Sequence, residues 1–247
     1  MGIKYIHDSF VHNTDAANKI IPFLIDLFKP ENVVDIGCGT GTWLKVCIDN
    51  GITDVMGIEG HHLDISKLVI PRGFLVLQDL EKPFVTERKF DMAISLEVAE
   101  HLHSNTAEQF VKQLTVLSNV VVFSAAIPYQ GGQNHVNEQW LSYWIRLFKK
   151  NGYKACDIIR PRFWDTKEVE FWYAQNCCIF INEQCEYPEI DLLPTFHNKN
   201  IVHPELLKKY GGYRDMIWKG KVSFSFIARL ISKKIRNAIN YKQGDIK

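Results

Sequence analysis

The chain is predicted to fold as a doubly wound α/β domain with a mostly parallel sheet, on three observations. Short apolar runs alternate with stretches of helical periodicity over its first three-quarters. A glycine cluster joins the first apolar run directly to a helix, and acidic residues stand at the ends of successive runs. Open parallel sheets gather ligand-binding groups at their strand ends in this way.

The elements follow in order. From Thr14 to Phe28, Ala17, Ile20, Ile21, Leu24, Ile25 and Leu27 recur at helical spacing until Pro30 ends the pattern. Val33 to Ile36 is a strand leading into the glycine cluster, and Thr42 to Asn50 is the helix beyond it. Further strands are expected at Asp54–Ile58, Phe74–Leu77, Phe90–Ser95 and Asn119–Ser124, the last two flanking a helix over Ala107–Leu117. A polar loop after Pro128 precedes an aromatic-rich helix from Glu138 to Asn151, in which Trp140, Trp144 and Phe148 form a core stripe. Strands at Tyr153–Ile159 and Asn176–Ile181 complete the sheet. After Glu183, three prolines and Gly211-Gly212 punctuate a segment without steady periodicity. Residues 1–183 are therefore read as one domain and 184–247 as a C-terminal extension.

Composition narrows the function. With 46% hydrophobic residues the chain can fill a sizeable core, so disorder is excluded for most of it. The net charge of +1 argues against nucleic acid as a partner. Six cysteines form no C-x-x-C pair, and Cys177 adjoins Cys178, which suits free thiols in a reducing cytoplasm. Met1 to Phe10 has no basic start followed by an apolar run, and no spanning stretch occurs, so neither a secretion signal nor a membrane span is expected.

The turn Asp35-Ile36-Gly37-Cys38-Gly39-Thr40-Gly41 carries glycine at alternate positions, which lets backbone approach a ligand closely. A dinucleotide turn of the G-x-G-x-x-G type would place its third glycine where Thr42 stands, so a nucleoside fits better than a pyrophosphate and a nicotinamide dehydrogenase is disfavoured. Glu59, at the end of the second strand, is placed to accept ribose hydroxyls, and Asp79, after the third, to accept an adenine amino group. Turn capping is the competing role for Asp35 and Asp79.

The run Val33–Thr42 with Glu59, Asp79 and Phe90-Asp91-Met92-Ala93-Ile94-Ser95-Leu96-Glu97-Val98-Ala99-Glu100-His101-Leu102 resembles the class I methyltransferases. More narrowly, Phe123–Pro128, His135–Trp140, Arg160-Pro161-Arg162 and Trp172–Asn176 resemble a bacterial subfamily associated with capsule and lipopolysaccharide glycans. The resemblance spans about residues 5 to 183. It implies a Rossmann-like, seven-stranded sheet ending in an antiparallel hairpin, with S-adenosylmethionine as cofactor. It also implies that Asp35, Gly37, Gly39 and Gly41 lie near the methionine part, Glu59 and Gly60 at the ribose and Asp79 and Leu80 beside the adenine, with Leu96 and Glu97 binding the cofactor from the end of the fourth strand.

Methyl transfer from a sulfonium is an in-line displacement that depends chiefly on alignment. A hydroxyl acceptor also benefits from a base, for which His135 is the first candidate and His101 the second. Tyr129, Gln130, Asn137 and Glu138 are expected to bind the acceptor, Asn137 and Glu138 also suiting a helix start. Arg160 and Arg162, bracketing Pro161, offer guanidinium forks to a phosphate, with surface salt bridging the commoner fate. His61-His62 and the pair His101/His103 match no familiar ligand spacing, so no metal is expected. The acceptor implied is a small molecule or glycan precursor, a sugar hydroxyl first, with a phosphate or phosphoramidate oxygen as the variant. A non-catalytic nucleoside-binding scaffold is the reading from another class. In the extension, Phe224, Ile227, Leu230, Ile231, Ile235, Ala238 and Ile239 form the stripe of a basic amphipathic helix. That helix is expected to pack on its own domain or a second subunit, as in a homodimer, or to lie on the inner membrane surface.

Overall fold

The computed structural model describes residues 13–84, 86, 88–185 and 199–219. Helix α1 (Asp15–Phe28) turns Ala16, Ala17, Ile20, Ile21 and Leu24 inward and ends on Lys29, whose left-handed backbone donates to the Ile25 carbonyl. Strand β1 (Asn32–Ile36) leads through the glycine turn into α2 (Thr42–Asp49). Strands β2 (Asp54–Glu59), β3 (Leu75–Leu77) and β4 (Met92–Leu96) follow, then α3 (Ala107–Leu117), β5 (Val120–Ser124) and α4 (Leu141–Lys150). The domain closes with β6 (Tyr153–Cys156), α5 (Ile159–Phe163), α6 (Phe171–Asn176) and β7 (Cys178–Asn182).

The seven strands lie in the order β3-β2-β1-β4-β5-β7-β6. Strands β1 to β5 are parallel, and β7 runs antiparallel to both β5 and β6. The expected seven-stranded sheet with its late hairpin is thus present. Its central strands read as unbroken apolar runs because both faces are covered. Val33, Val120 and Val122 pack on one side among the residues of α1 and α2, while Val34, Val121 and Phe123 pack on the other against α3 and α4. On that second side Phe148 and Phe180 stack at 3.7 Å, and Trp144 and Phe148 are fully covered, as the stripe predicts. Each such buried aromatic contributes about 2 to 3 kcal/mol.

Three local readings are corrected. The strand expected to run to Ile159 stops at Cys156, and Ile159–Phe163 is helical. Pro161 is tolerated there because the first turn of a helix leaves its N–H groups without intrahelical partners. The helix expected from Glu138 begins at Leu141, because Glu138 and Gln139 bond to the preceding loop. Beyond His203, where no periodicity was legible, Pro204–Trp218 forms a helix that runs through Gly211-Gly212, with Glu205 in its first turn paired to Lys208 at 2.7 Å. Contacts divide the chain into two compact units, Met1–His203 and Pro204–Lys247. The amphipathic stripe Phe224–Ile239 lies outside the described residues. Among the described residues no helix is long and apolar enough to cross a membrane. All six cysteines are free thiols.

Candidate active site

Strand order reverses between β1 and β4, the crevice where open α/β sheets bind ligands. The segments that leave these two strands build two walls.

The first wall is the glycine turn. Gly37, Gly39 and Gly41 all have positive φ (79°, 55° and 87°). A Cβ on Gly37 would stand 2.3 Å from the Val98 side chain, and one on Gly41 would stand 2.8 Å from Ile70. These two positions therefore require glycine both for conformation and for space. Glu59 holds the turn in shape, its carboxylate accepting from Gly39 N–H at 2.6 Å and Gly60 N–H at 2.7 Å. Burial raises its pKa, and these two bonds oppose the rise. Asp35 is also buried, with Oδ2 bonded to no described residue. Burial first, and the neighbouring Glu59 second, push its carboxyl well above the usual range. Leu80 is buried in the layer that contains Ile36 and Ile58. Asp79 differs from the other two acids. It is about half exposed, accepting from Glu81 N–H at 3.0 Å and lying 3.4 Å from Lys82 Nζ, the turn-capping role weighed for it.

The second wall begins where β4 ends. Leu96 is buried, and Glu97 follows it in a left-handed conformation (φ 55°). One Glu97 oxygen accepts from Asn176 at 3.1 Å and the other from Gln130 at 2.8 Å. Gln130 Oε1 in turn accepts from Asn176 at 2.8 Å and from Gln175 at 3.3 Å. Gln130, 5% exposed, thus ties three chain segments together. Burial raises the Glu97 pKa, against the pull of Asn176, Ser124 and Gln130.

A 3₁₀ turn over Ala99–His101 then carries Glu100 and His101. The Glu100 carbonyl accepts from Val136 and Asn137 N–H, and Asn137 reaches Ala99 O, so the loop after β5 is pinned to the turn after β4. Asn137, 3% exposed, serves this junction. His135 arrives edge-on to His101, the ring centroids 4.9 Å apart at 82°. Its Nδ1 lies 2.9 Å from Glu138 Oε1, and its Nε2 lies 4.0 Å from Glu100 Oε1. Glu138 also accepts from Tyr129 and Gly131 N–H, both at 2.8 Å. One carboxylate thereby shapes the loop and orients the imidazole. The Glu100 carboxyl is held well above its usual range by burial and then by Glu97, and His101 is lowered to about 4 by burial and then by His135.

The structure brings His135 and His101 together and adds Glu100, which was absent from the residues assigned a role from sequence. Its signal was the spacing Glu97-x-x-Glu100-His101. The arginines stand apart. Arg160, 2% exposed, is bound by its fork to Asp157 and by Nη1 to Lys199 O. Arg162 is exposed, with its guanidinium 4.6 Å from the Phe23 ring. His61 and His62 are exposed, and His103 pairs with Glu81.

Residues 8–174 match the methyltransferase domain family. No curated protein matches the chain. Among solved structures, the chain is similar to the SAM-bound amino pentose methyltransferase CalS10 of Micromonospora echinaspora, with TM-score 0.52 and 13% identity over 74% of this chain and 100% of that one. It is also similar to the methyltransferase domain of bacterial CtHen1-CN, with TM-score 0.51 and 17% identity over 68% and 98%. The plantazolicin methyltransferase BpumL, solved with a desmethyl analogue and SAH, has TM-score 0.50 and 16% identity over 69% and 84%. At these identities the likeness establishes the fold, and the sequence match establishes the family. The chain belongs to the methyltransferase domain family and is an S-adenosylmethionine-dependent methyltransferase.

Proposed function

We propose that this methyltransferase acts on oxygen, taking a hydroxyl of a polar small molecule or glycan precursor, with a capsule or lipopolysaccharide sugar as the leading acceptor. The observation that carries this reading is the His135–Glu138 pair, an imidazole fixed through Nδ1 by a carboxylate that also organises its loop. An alcohol has a high pKa, and loss of its proton depends here on His135, with His101 beside it. Tyr129 is 80% exposed and Val136 57%, so the loop that holds His135 presents an apolar surface beside polar groups. A sugar ring stacks well on such a surface. The phosphate variant is less well supported, because the Arg160 fork is committed to Asp157.

The cofactor residues fit the group. The unpartnered Asp35 oxygen suits the amino group of the methionine part, the bare backbone of Gly37 and Gly41 suits close approach of the nucleoside, and the Glu59 carboxylate is the group that would accept from the ribose. The cofactor supplies a methyl group on a sulfonium. An acceptor hydroxyl held in line with that methyl group would lose its proton at the His135 wall as the methyl is transferred, with S-adenosylhomocysteine as the leaving group.

Calorimetry with S-adenosylhomocysteine, followed by mass spectrometry of a panel of sugar nucleotides and sugar phosphates incubated with S-adenosylmethionine, tests the proposal. A product heavier by one methylene, with the methyl on a sugar oxygen, is expected. Replacing His135 by Asn is expected to lower kcat and leave S-adenosylhomocysteine affinity unchanged. Methylation confined to nitrogen or phosphate oxygens would overturn the acceptor class, and full turnover by His135→Asn would overturn the role of the imidazole.

A further inference from the structure

Glu100, His101 and His135 each present one donor atom, and these atoms all lie within 4.8 Å of one another. Glu100 is completely buried, with only the backbone of Glu100 and Ala126 to favour its charged form and no cation nearer than His135 Nε2 at 4.0 Å among the described residues. An acid placed so deeply without a countercharge costs several kcal/mol if charged. A cation among the three groups removes that cost. We infer that Glu100, His101 and His135 form a binding site for a divalent transition-metal ion beside the acceptor.

The surroundings are those of a built site. Ligating imidazoles are normally fixed through their second nitrogen by a carboxylate or backbone group. His135 has Glu138 on Nδ1, which leaves Nε2 directed toward Glu100 Oε1. The His101 ring is hydrogen-bonded by the backbone of Gln133 and Asn134. Glu138 is itself fixed by two amides, and the Glu100 backbone is clamped by Val136 and Asn137, so the donors stand on a braced frame. Glu97, although adjacent, is spent on Asn176 and Gln130 and is not a ligand.

Metal–ligand bonds of about 2.1 Å in tetrahedral geometry put donors about 3.4 Å apart, so small side-chain rotations close the present arrangement onto an ion. Two imidazoles and one carboxylate favour Mn²⁺, Fe²⁺, Co²⁺ or Zn²⁺ over Ca²⁺ or Mg²⁺. Three protein ligands leave a coordination position open, and an acceptor oxygen entering it becomes more acidic. The inference rests on the oxygen-methylation reading for the identity of the acceptor, but not for ion binding itself. With the ion present, His135 Nε2 is a ligand and the hydroxyl proton passes to water.

The test uses the full chain, stripped with a chelator and dialysed. Titration with Co²⁺, followed by visible absorption, and with Mn²⁺, followed by calorimetry, is expected to show one bound equivalent. Glu100→Gln and His101→Ala are each expected to weaken binding at least about 100-fold, and Glu138→Gln about tenfold. His103→Ala, outside the cluster, leaves it unchanged. Unaltered S-adenosylhomocysteine affinity verifies that each variant is folded. If Glu100→Gln does not fold, selective broadening of the His101 and His135 ring protons of the unmodified protein by Mn²⁺ decides instead. Absence of Co²⁺ and Mn²⁺ binding up to millimolar concentration, binding that Glu100→Gln leaves within twofold, or full methylation by the chelated protein overturns the inference. If Co²⁺ binds but no oxygen acceptor is methylated, the ion site stands and the acceptor reading fails.

Discussion

The two walls of the crevice are built by opposite means. The glycine turn is made chiefly by backbone, with Glu59 from the adjacent strand accepting from two amides. The wall after β4 is made by side chains from three distant segments, with Glu97 on one, Gln130 and His135 on the loop after β5, and Asn176 on the third. The first arrangement suits an invariant ligand, because backbone geometry offers little to vary. The second suits an acceptor, because each contributing segment can change independently of the others. The two walls should therefore fail separately, one in cofactor affinity and the other in turnover.

The largest break comes at Gly37. Substitution by Ala places a methyl group against Val98 and holds a side-chain residue at φ 79°. Overpacking and strain together cost about 2 to 4 kcal/mol, so S-adenosylhomocysteine affinity should fall by more than about 100-fold in calorimetry. A second change, Val98→Ala, removes the two closest contacts but leaves Val98 Cβ at 3.1 Å and the strain, and should restore only part of the loss. On the opposite wall, Glu138→Gln unties Tyr129, Gly131 and His135 together. It should lower kcat about 30-fold, the scale on which loss of an orienting partner acts, with cofactor affinity within twofold. A matching fall in cofactor affinity would show that the walls are coupled.

Glu59→Gln sharpens the comparison more gently. The new side chain keeps one acceptor but turns an amide N–H₂ toward the second backbone donor, so affinity should fall about tenfold while kcat at saturating cofactor holds. Asp35→Asn is the smallest and has the opposite sign for stability. The Asp35 carboxyl is raised in the folded state, so the unfolded chain ionises first as pH rises, and folding loses stability above the ordinary carboxylate pKa. The Asn variant escapes that loss. Its gain in thermal stability should be larger near about pH 8 than near about pH 5 and amount to about 1 kcal/mol or more, while S-adenosylhomocysteine binds more weakly. A stability difference independent of pH would show that burial of the charge is not its source.

The parts that were legible share a feature. The glycine turn, Glu59 and six of the seven strands are set by short-range pattern, with boundaries within about two residues. Asp35 and Asp79 show the limit of that reading. Both follow the same rule of an acid at a strand end, yet Asp35 is buried on a central strand and Asp79 is half exposed beyond the edge strand β3. Sheet order separates them, and it is not written locally. Arg160 shows the limit again, since its neighbours Pro161 and Arg162 gave no sign of the buried fork to Asp157. Glu100 was visible only as the second acid of Glu97-x-x-Glu100-His101, because its meaning depends on a histidine supplied by another loop.

From its sequence alone this protein was committed to a doubly wound sheet, a side-chain-free turn and a nucleoside cofactor, because periodicity, positive φ and strand-end acids act over a few residues. Only the tertiary structure decided which acids are buried, which arginine is already paired, and that His101 and His135 meet over Glu100. Those outcomes depend on which strands become neighbours and how deeply each strand end is covered. Burial and long-range pairing are properties of the assembled layers, and no single stretch of chain contains them.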